Sequence, residues 1–193
     1  MTIAPSQTKT YTAEEYLALE VESETRSEYR DGEIIPMTGG TPAHNEITAT
    51  LIFLLKSALR QQPYSIFVTD QRLWVPDGDR YTYPDVMVTP RPADLKQGRK
   101  DTVINPILIA EVLSDSTQGY DRGDKFAAYR TIPTFQEYLL IDQYKPHVEQ
   151  YVKQSENQWL FTEYDDLGQT FTLRSVEVAI ALTDLYEAVF SDK

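Results

Sequence analysis

The sequence predicts an α/β (α+β) fold, a mixed β-sheet flanked by helices, and three observations carry that reading. The run Ile107-Leu108-Ile109-Ala110-Glu111-Val112-Leu113 is apolar on both faces, as a central strand covered on two sides must be. The segment from about Ala43 to Gln61 spaces Ile47, Leu51, Leu54, Leu55 and Leu59 for one helical face. Short strand-like and helical segments mix along the whole chain, with no repeat, linker or long charge block between them. Residues 1–10 are polar and predict a flexible N-terminus, and residues 11–190 a single domain, the better expectation at 193 residues.

Each element has a local cause. Thr12-Ala13-Glu14-Glu15 has the form of a capping box and starts a short helix through Leu19, with Tyr16 and Leu19 on its buried side. Asp31-Gly32 is a hairpin turn between two short strands in Ser27–Met37. Gly39-Gly40-Thr41-Pro42 interrupts the pattern before the long helix, and Pro63 ends that helix. Ser65–Thr69 and Arg72–Val75 read as strands, Pro76–Asp79 as a turn, and Tyr83–Val88 as a strand closed by Pro90 and Pro92. Residues 91–103 form a polar loop with Arg91, Lys96, Arg99 and Lys100. After the central strand and a loop at Ser114–Gly119, Asp121–Arg130 reads as a short helix capped by Asp121. Strands follow at Glu137–Asp142, His147–Val152, Trp159–Tyr164 and Thr170–Leu173, and a helix at Leu182–Phe190 shows Leu182, Leu185 and Val189 on one face.

Composition removes whole classes of chemistry. With no cysteine there is no disulfide, zinc ribbon, iron–sulfur cluster or thiol nucleophile. His44 and His147 are the only histidines, so a metal would be held mainly by oxygen, which favours Mg²⁺, Mn²⁺ or Ca²⁺. No apolar run reaches the roughly 18 residues of a membrane span, and the first ten residues lack a signal-peptide pattern. A cytoplasmic protein with no membrane partner is the expectation. The GxxxxGK[ST], GxGxxG and GxSxG patterns are absent, which leaves nucleotide binding and serine hydrolysis without support.

The net charge of -12 repels phosphate backbones in general. Its distribution is uneven. Residues 61–130 hold half of the Lys and Arg, while residues 131–193 hold eleven of the thirty acids. A basic patch around a central site is compatible with this, whereas a broadly basic face is not.

Glu111 stands out, because a carboxylate in the most apolar strand must be paired, protonated or on a metal. Asp85, after Pro84, is a second acid in an apolar strand, and two such acids on neighbouring strands could hold a hard cation. Lys125 follows on the next helix, where it could serve a metal-bound water or simply pair with Asp121 four residues earlier. Glu28 by itself reads as a surface residue of the first hairpin, and His44 could cap the long helix or face the site, although with no Asp, Glu or His spaced around it a structural or exposed role is the better reading.

The segments Glu28-Tyr29-Arg30-Asp31-Gly32-Glu33, Tyr83-Pro84-Asp85-Val86, Ala110-Glu111-Val112-Leu113-Ser114-Asp115-Ser116-Thr117 and Tyr120–Arg130 together resemble the Uma2 family, within the PD-(D/E)xK nuclease superfamily. The similarity runs from about Tyr11 to Phe190. The resemblance implies a restriction-endonuclease-like core and an Mg²⁺-dependent endonuclease (Mn²⁺ as a substitute) that hydrolyses phosphodiesters of DNA. It implies Asp85, Glu111 and the Val112 carbonyl as metal ligands, and Asp85, Glu111, Lys125 and Glu28 as catalytic residues. Two departures are visible. The superfamily places a lysine two residues after the acid, where this chain has Leu113, so the lysine would be Lys125, fourteen residues on. Asp115 stands where many relatives have Pro.

Two other readings compete. One is a non-catalytic or regulatory module that keeps the nuclease fold, motivated by Leu113 and the acidity. The other is a hydrolase using paired carboxylates on a glycoside. For the nuclease, the strands beyond Glu137 and the last helix suggest a homodimer, and specificity falls to loops such as 91–103.

Overall fold

The computed structural model describes residues 9–190. The flexible N-terminus expected for residues 1–10 thus lies outside the described residues, save Lys9 and Thr10.

The capping box forms as read. Thr12 and Glu15 exchange bonds at the start of helix α1, Ala13–Glu22. The buried side differs from expectation. Tyr16 and Glu20 point inward, four residues apart on one helical face, and Leu19 is exposed. Glu20 can be buried because one of its oxygens takes two hydrogen bonds. Its Oε1 accepts from the Ser27 amide at 3.1 Å and the Tyr83 hydroxyl at 2.8 Å.

Strands β1 (Ser27–Arg30) and β2 (Glu33–Pro36) form the hairpin, with Asp31 and Gly32 both at positive φ in the turn. Helix α2 runs Pro42–Ala58, capped by the Thr41 hydroxyl, and buries Ile47, Leu51 and Leu55 completely. Each of these contributes about 1.5–3 kcal/mol of transfer free energy.

Strands β3 (Tyr64–Val68) and β4 (Arg72–Val75) follow as expected. The strand expected at Tyr83–Val88 begins later, at Val86, and a separate strand precedes it. β5 is Arg80–Thr82 and β6 is Val86–Pro90, with Pro84, which has no amide proton to give a ladder, in the gap. Within the loop expected at 91–103, Thr102–Val103 forms β7, parallel to β4. The central strand β8, Leu108–Leu113, is buried at all six positions. The helix expected at Asp121–Arg130 begins earlier, as one turn α3 (Gln118–Tyr120), then a π turn at Asp121–Lys125, then α4 (Phe126–Tyr129). Asp121 is therefore a buried interior residue and not a cap.

β9 (Glu137–Asp142), β10 (Val148–Ser155), β11 (Gln158–Tyr164) and β12 (Thr170–Leu173) appear where expected. A further strand, β13 (Val178–Ala181), pairs with β12. The last helix is two short ones, α5 (Leu182–Leu185) and α6 (Glu187–Phe190).

Six strands form the main mixed sheet in the order β11-β10-β9-β8-β6-β3, with β8 and β9 parallel and the other pairs antiparallel. A second sheet, β2-β1-β5-β4-β7, leans on it. The period of two sorts the side chains of the main sheet. Val86, Val88, Leu108, Ala110 and Val112 pack with α2 on one face. Met87, Ile109, Leu113 and Leu140 pack with Ala128 and Tyr129 of α4 on the other. Glu111 shares the parity of Ile109 and Leu113, and Asp85 that of Met87. The fold therefore aims Glu111 toward the α4 side, where Tyr129 bonds it, while Asp85, in the bend before β6, reaches His44 at the start of α2.

Candidate active site

Register brings the two carboxylates together. Val86 pairs with Ala110, so Asp85, one residue before β6, lies beside Glu111 near the end of β8. The Asp85 amide donates to Glu111 Oε2 at 3.4 Å, and the Val112 amide donates to Asp85 Oδ2 at 2.8 Å. His44 Nε2 lies 3.1 Å from the same Oδ2. Tyr129 donates to Glu111 Oε1 at 2.8 Å from α4.

Lys125 enters from the π turn, with Nζ 2.9 Å from Glu111 Oε1, 3.4 Å from Asp121 Oδ1 and 3.8 Å from Glu28 Oε1. Leu113, two residues after Glu111, is buried in the core. The ammonium reaches the same acid from the helix side instead. π turns widen a helix locally and recur at functional sites. Here the turn carries both Asp121 and Lys125 inward. Glu28, read from sequence alone as a surface residue, is largely covered and accepts a hydrogen bond from the Thr82 hydroxyl.

The electrostatics are lopsided. Burial pushes the Glu111 carboxyl up, Lys125 opposes this, and Asp85 and Asp121 add to the rise. Burial alone would lower Lys125, but Glu111, Glu28 and Asp121 hold it well above the usual lysine value. With three carboxylates around its ammonium, the lysine stays charged, while burial favours the protonated form of Glu111. His44 is pulled down by burial and pulled up further by its bond to Asp85 and that charge, for a net rise.

These groups line a cleft of about 830 Å³ between the two larger sheets and the start of α2. The loop 91–103 does not line it. Three of its four cations are used locally. Lys96 pairs with Asp79 at 2.9 Å, Arg99 with Asp101 at 2.7 Å, and Arg91 donates to the Tyr64 carbonyl.

The donor chemistry fits a hard cation. Asp85 Oδ1 has no donor among the described residues, and Glu111 Oε2 has only the long bond from the Asp85 amide. Among the described residues no three His, Asp or Glu side chains are grouped to hold a metal by themselves. Two carboxylates with a backbone oxygen and water suit Mg²⁺, which keeps several waters and needs few protein ligands.

Sequence reasoning missed Tyr129, favoured a structural or exposed role for His44, and had Asp121 as a partner of Lys125, which it is, but not as a neighbour of the acids. His44 follows the Gly39-Gly40-Thr41-Pro42 break, and a histidine in the first turn of a capped helix beside a cleft was the signal available.

The mixed sheet flanked by helices is a restriction-endonuclease-like fold. A crystal structure described as a putative nuclease belonging to DUF820, from Anabaena variabilis ATCC 29413, superimposes with a TM-score of 0.73 at 22% identity, covering 90% of this chain and 96% of that one. The family model Uma2, described as putative restriction endonuclease, matches residues 13–183, and the chain belongs to that family. Two uncharacterized proteins of Synechocystis sp. (strain ATCC 27184 / PCC 6803 / Kazusa) are similar. One, sll1609, is 47% identical over 156 residues, 81% of this chain and 88% of that protein. The other, slr1290, is 34% identical over 176 residues, 91% of each.

Proposed function

We propose that this protein is an Mg²⁺-dependent endonuclease that hydrolyses phosphodiester bonds of DNA, working in the cytoplasm as a homodimer. The observation that carries the reading is Lys125 Nζ at 2.9 Å from Glu111, beside Asp85, in an open cleft. Asp85, Glu111 and the Val112 carbonyl would hold the metal, with Mn²⁺ able to replace Mg²⁺. When bound, it supplies Lewis-acid polarisation of the phosphate and a lowered pKa for an attacking water.

The chain's own residues do the rest. His44 and the Val112 amide fix one oxygen of Asp85 and leave the other toward the cleft. Tyr129 fixes Glu111 in the same way. Lys125 orients the attacking water and offsets the charge that grows on the phosphate oxygens. Glu28 and Asp121 hold the ammonium in place. A lysine lodged among the acids speaks against a glycosidase, whose two carboxyls need a sugar between them. The position of Lys125 also favours an active site over a non-catalytic module, which has no need to aim that charge.

Calorimetric titration of Mg²⁺ into wild type and Glu111→Gln tests the reading, repeated with a DNA oligonucleotide present. Binding that disappears in the variant, together with DNA cleavage lost in Glu111→Gln and Lys125→Met, is expected. Absence of binding with and without DNA would remove the nuclease reading in favour of the non-catalytic module.

A further inference from the structure

The cleft poses a problem for its own substrate. Glu28, Asp85, Glu111, Asp115 and Asp121 line it, and DNA is a polyanion. Three basic side chains share the walls: His44, Lys125 and Arg30. The first is bonded to Asp85 and the second is surrounded by three carboxylates. Arg30 makes no ion pair among the described residues.

Its placement is deliberate in the strand. β1 buries Ser27 and Tyr29 and turns the intervening positions to the other side, so Glu28 and Arg30 share the cleft face. The Arg30 guanidinium lies 4.4 Å from the centroid of the Tyr120 ring, and Lys125 Nζ lies 6.0 Å from the same ring. Among the described residues no carboxylate pairs with the guanidinium beside this ring, which leaves N–H groups available to an anion in the cleft. A guanidinium edge matches the oxygens of a phosphate, two bonds at once. The ring also limits the rotamers that binding would otherwise have to freeze.

We propose that Arg30, braced on Tyr120, is the anion-binding arm of the cleft and grips a backbone phosphate of the DNA adjacent to the one at the acid–lysine cluster. This rests on the nuclease reading above. It assigns two tasks to two cations: Lys125 serves the reacting phosphate, and Arg30 serves register and affinity.

The test is fluorescence anisotropy of labelled single- and double-stranded DNA oligonucleotides across a KCl series, with Ca²⁺ replacing Mg²⁺. Wild type, Arg30→Gln and Arg30→Lys are compared, with thermal melts and metal calorimetry on each. Arg30→Gln is expected to bind about tenfold more weakly, the scale of one charge-assisted contact. Its salt dependence should be shallower by about 0.7–0.9 in log–log slope, the loss of one phosphate. Arg30→Lys should restore the slope but only part of the affinity, because an ammonium cannot fork. Metal affinity and melting should stay as in wild type. DNA affinity and slope unchanged in Arg30→Gln would overturn the assignment while leaving the nuclease reading intact. Wild type that binds no DNA in any salt would sink both.

Discussion

Replacing Lys125 with Met probes the electrostatic centre of the site before any substrate is added. The ammonium lies 2.9 Å from Glu111, and that pair alone is worth on the order of 5 kcal/mol at an effective dielectric of 20. Desolvation of both groups offsets much of this. Orphaning one partner of a buried pair nevertheless costs about 3–5 kcal/mol. Glu111 keeps the hydroxyl of Tyr129 as a donor and can accept a proton, which places the expected loss near ~3 kcal/mol. Met retains most of the lysine stem, so packing adds little. Urea unfolding with EDTA at neutral pH measures the loss. The sign with pH follows from burial, which raises the folded-state pKa of Glu111 above its unfolded value. Such a group favours the fold most at low pH, and its contribution is lost as pH rises through the folded value. With Lys125 gone the rise is larger, so the variant's deficit should grow with pH and shrink toward the ordinary carboxylate range. The double variant Lys125→Met/Glu111→Gln, with no orphan carboxylate, should recover most of the loss. A double variant no more stable than Lys125→Met would refute the reasoning and assign the cost to packing.

Three further outcomes are expected. His44→Ala should weaken Mg²⁺ binding about 10–100-fold by calorimetry, since it removes the group that orients Asp85. Asp101 is pushed up by burial, but hydrogen bonds from Arg99 and Thr102 and the charge of Arg72 outweigh this and lower it. Its contribution is present above the unfolded pKa and lost as pH falls through the folded one, so Asp101→Asn should cost under ~1 kcal/mol at neutral pH and nothing in strong acid, read by melts across pH. Light scattering at micromolar protein should give twice the chain mass, and a monomer there would remove the homodimer.

The parts of the fold that were legible in the sequence are those where one pattern decides. The double-sided apolar run marked β8 as central and Glu111 as a carboxylate near the end of a covered strand. The capping box at Thr12 and the spacing of α2 were local in the same sense. What escaped depends on contacts between distant segments. Leu19 and Glu20 are adjacent, and only the arrival of Tyr83 and Ser27 makes the polar one the inward one. His44 and Asp85 are 41 residues apart, so no spacing around the histidine could reveal the bond. The π turn escaped because Asp121 looks like a cap until three acids and a lysine are seen to converge on its inner side.

The same convergence explains why the acids sit where folding alone would not put them. Apolar residues at 85, 111, 121 and 125 would extend the core of Leu113, Ala128 and Tyr129 without any desolvation cost. The chain instead places four polar groups there, each given some partners: Val112 and His44 for Asp85, Tyr129 and Lys125 for Glu111, Glu28 and Asp121 for Lys125. The bonds stop short of saturation at one oxygen of Asp85 and at the weakly bonded Oε2 of Glu111. A site that must take up a cation, a water and a phosphate needs acceptors held in position and left free. The incomplete bonding of these two acids therefore argues for function more strongly than their presence does.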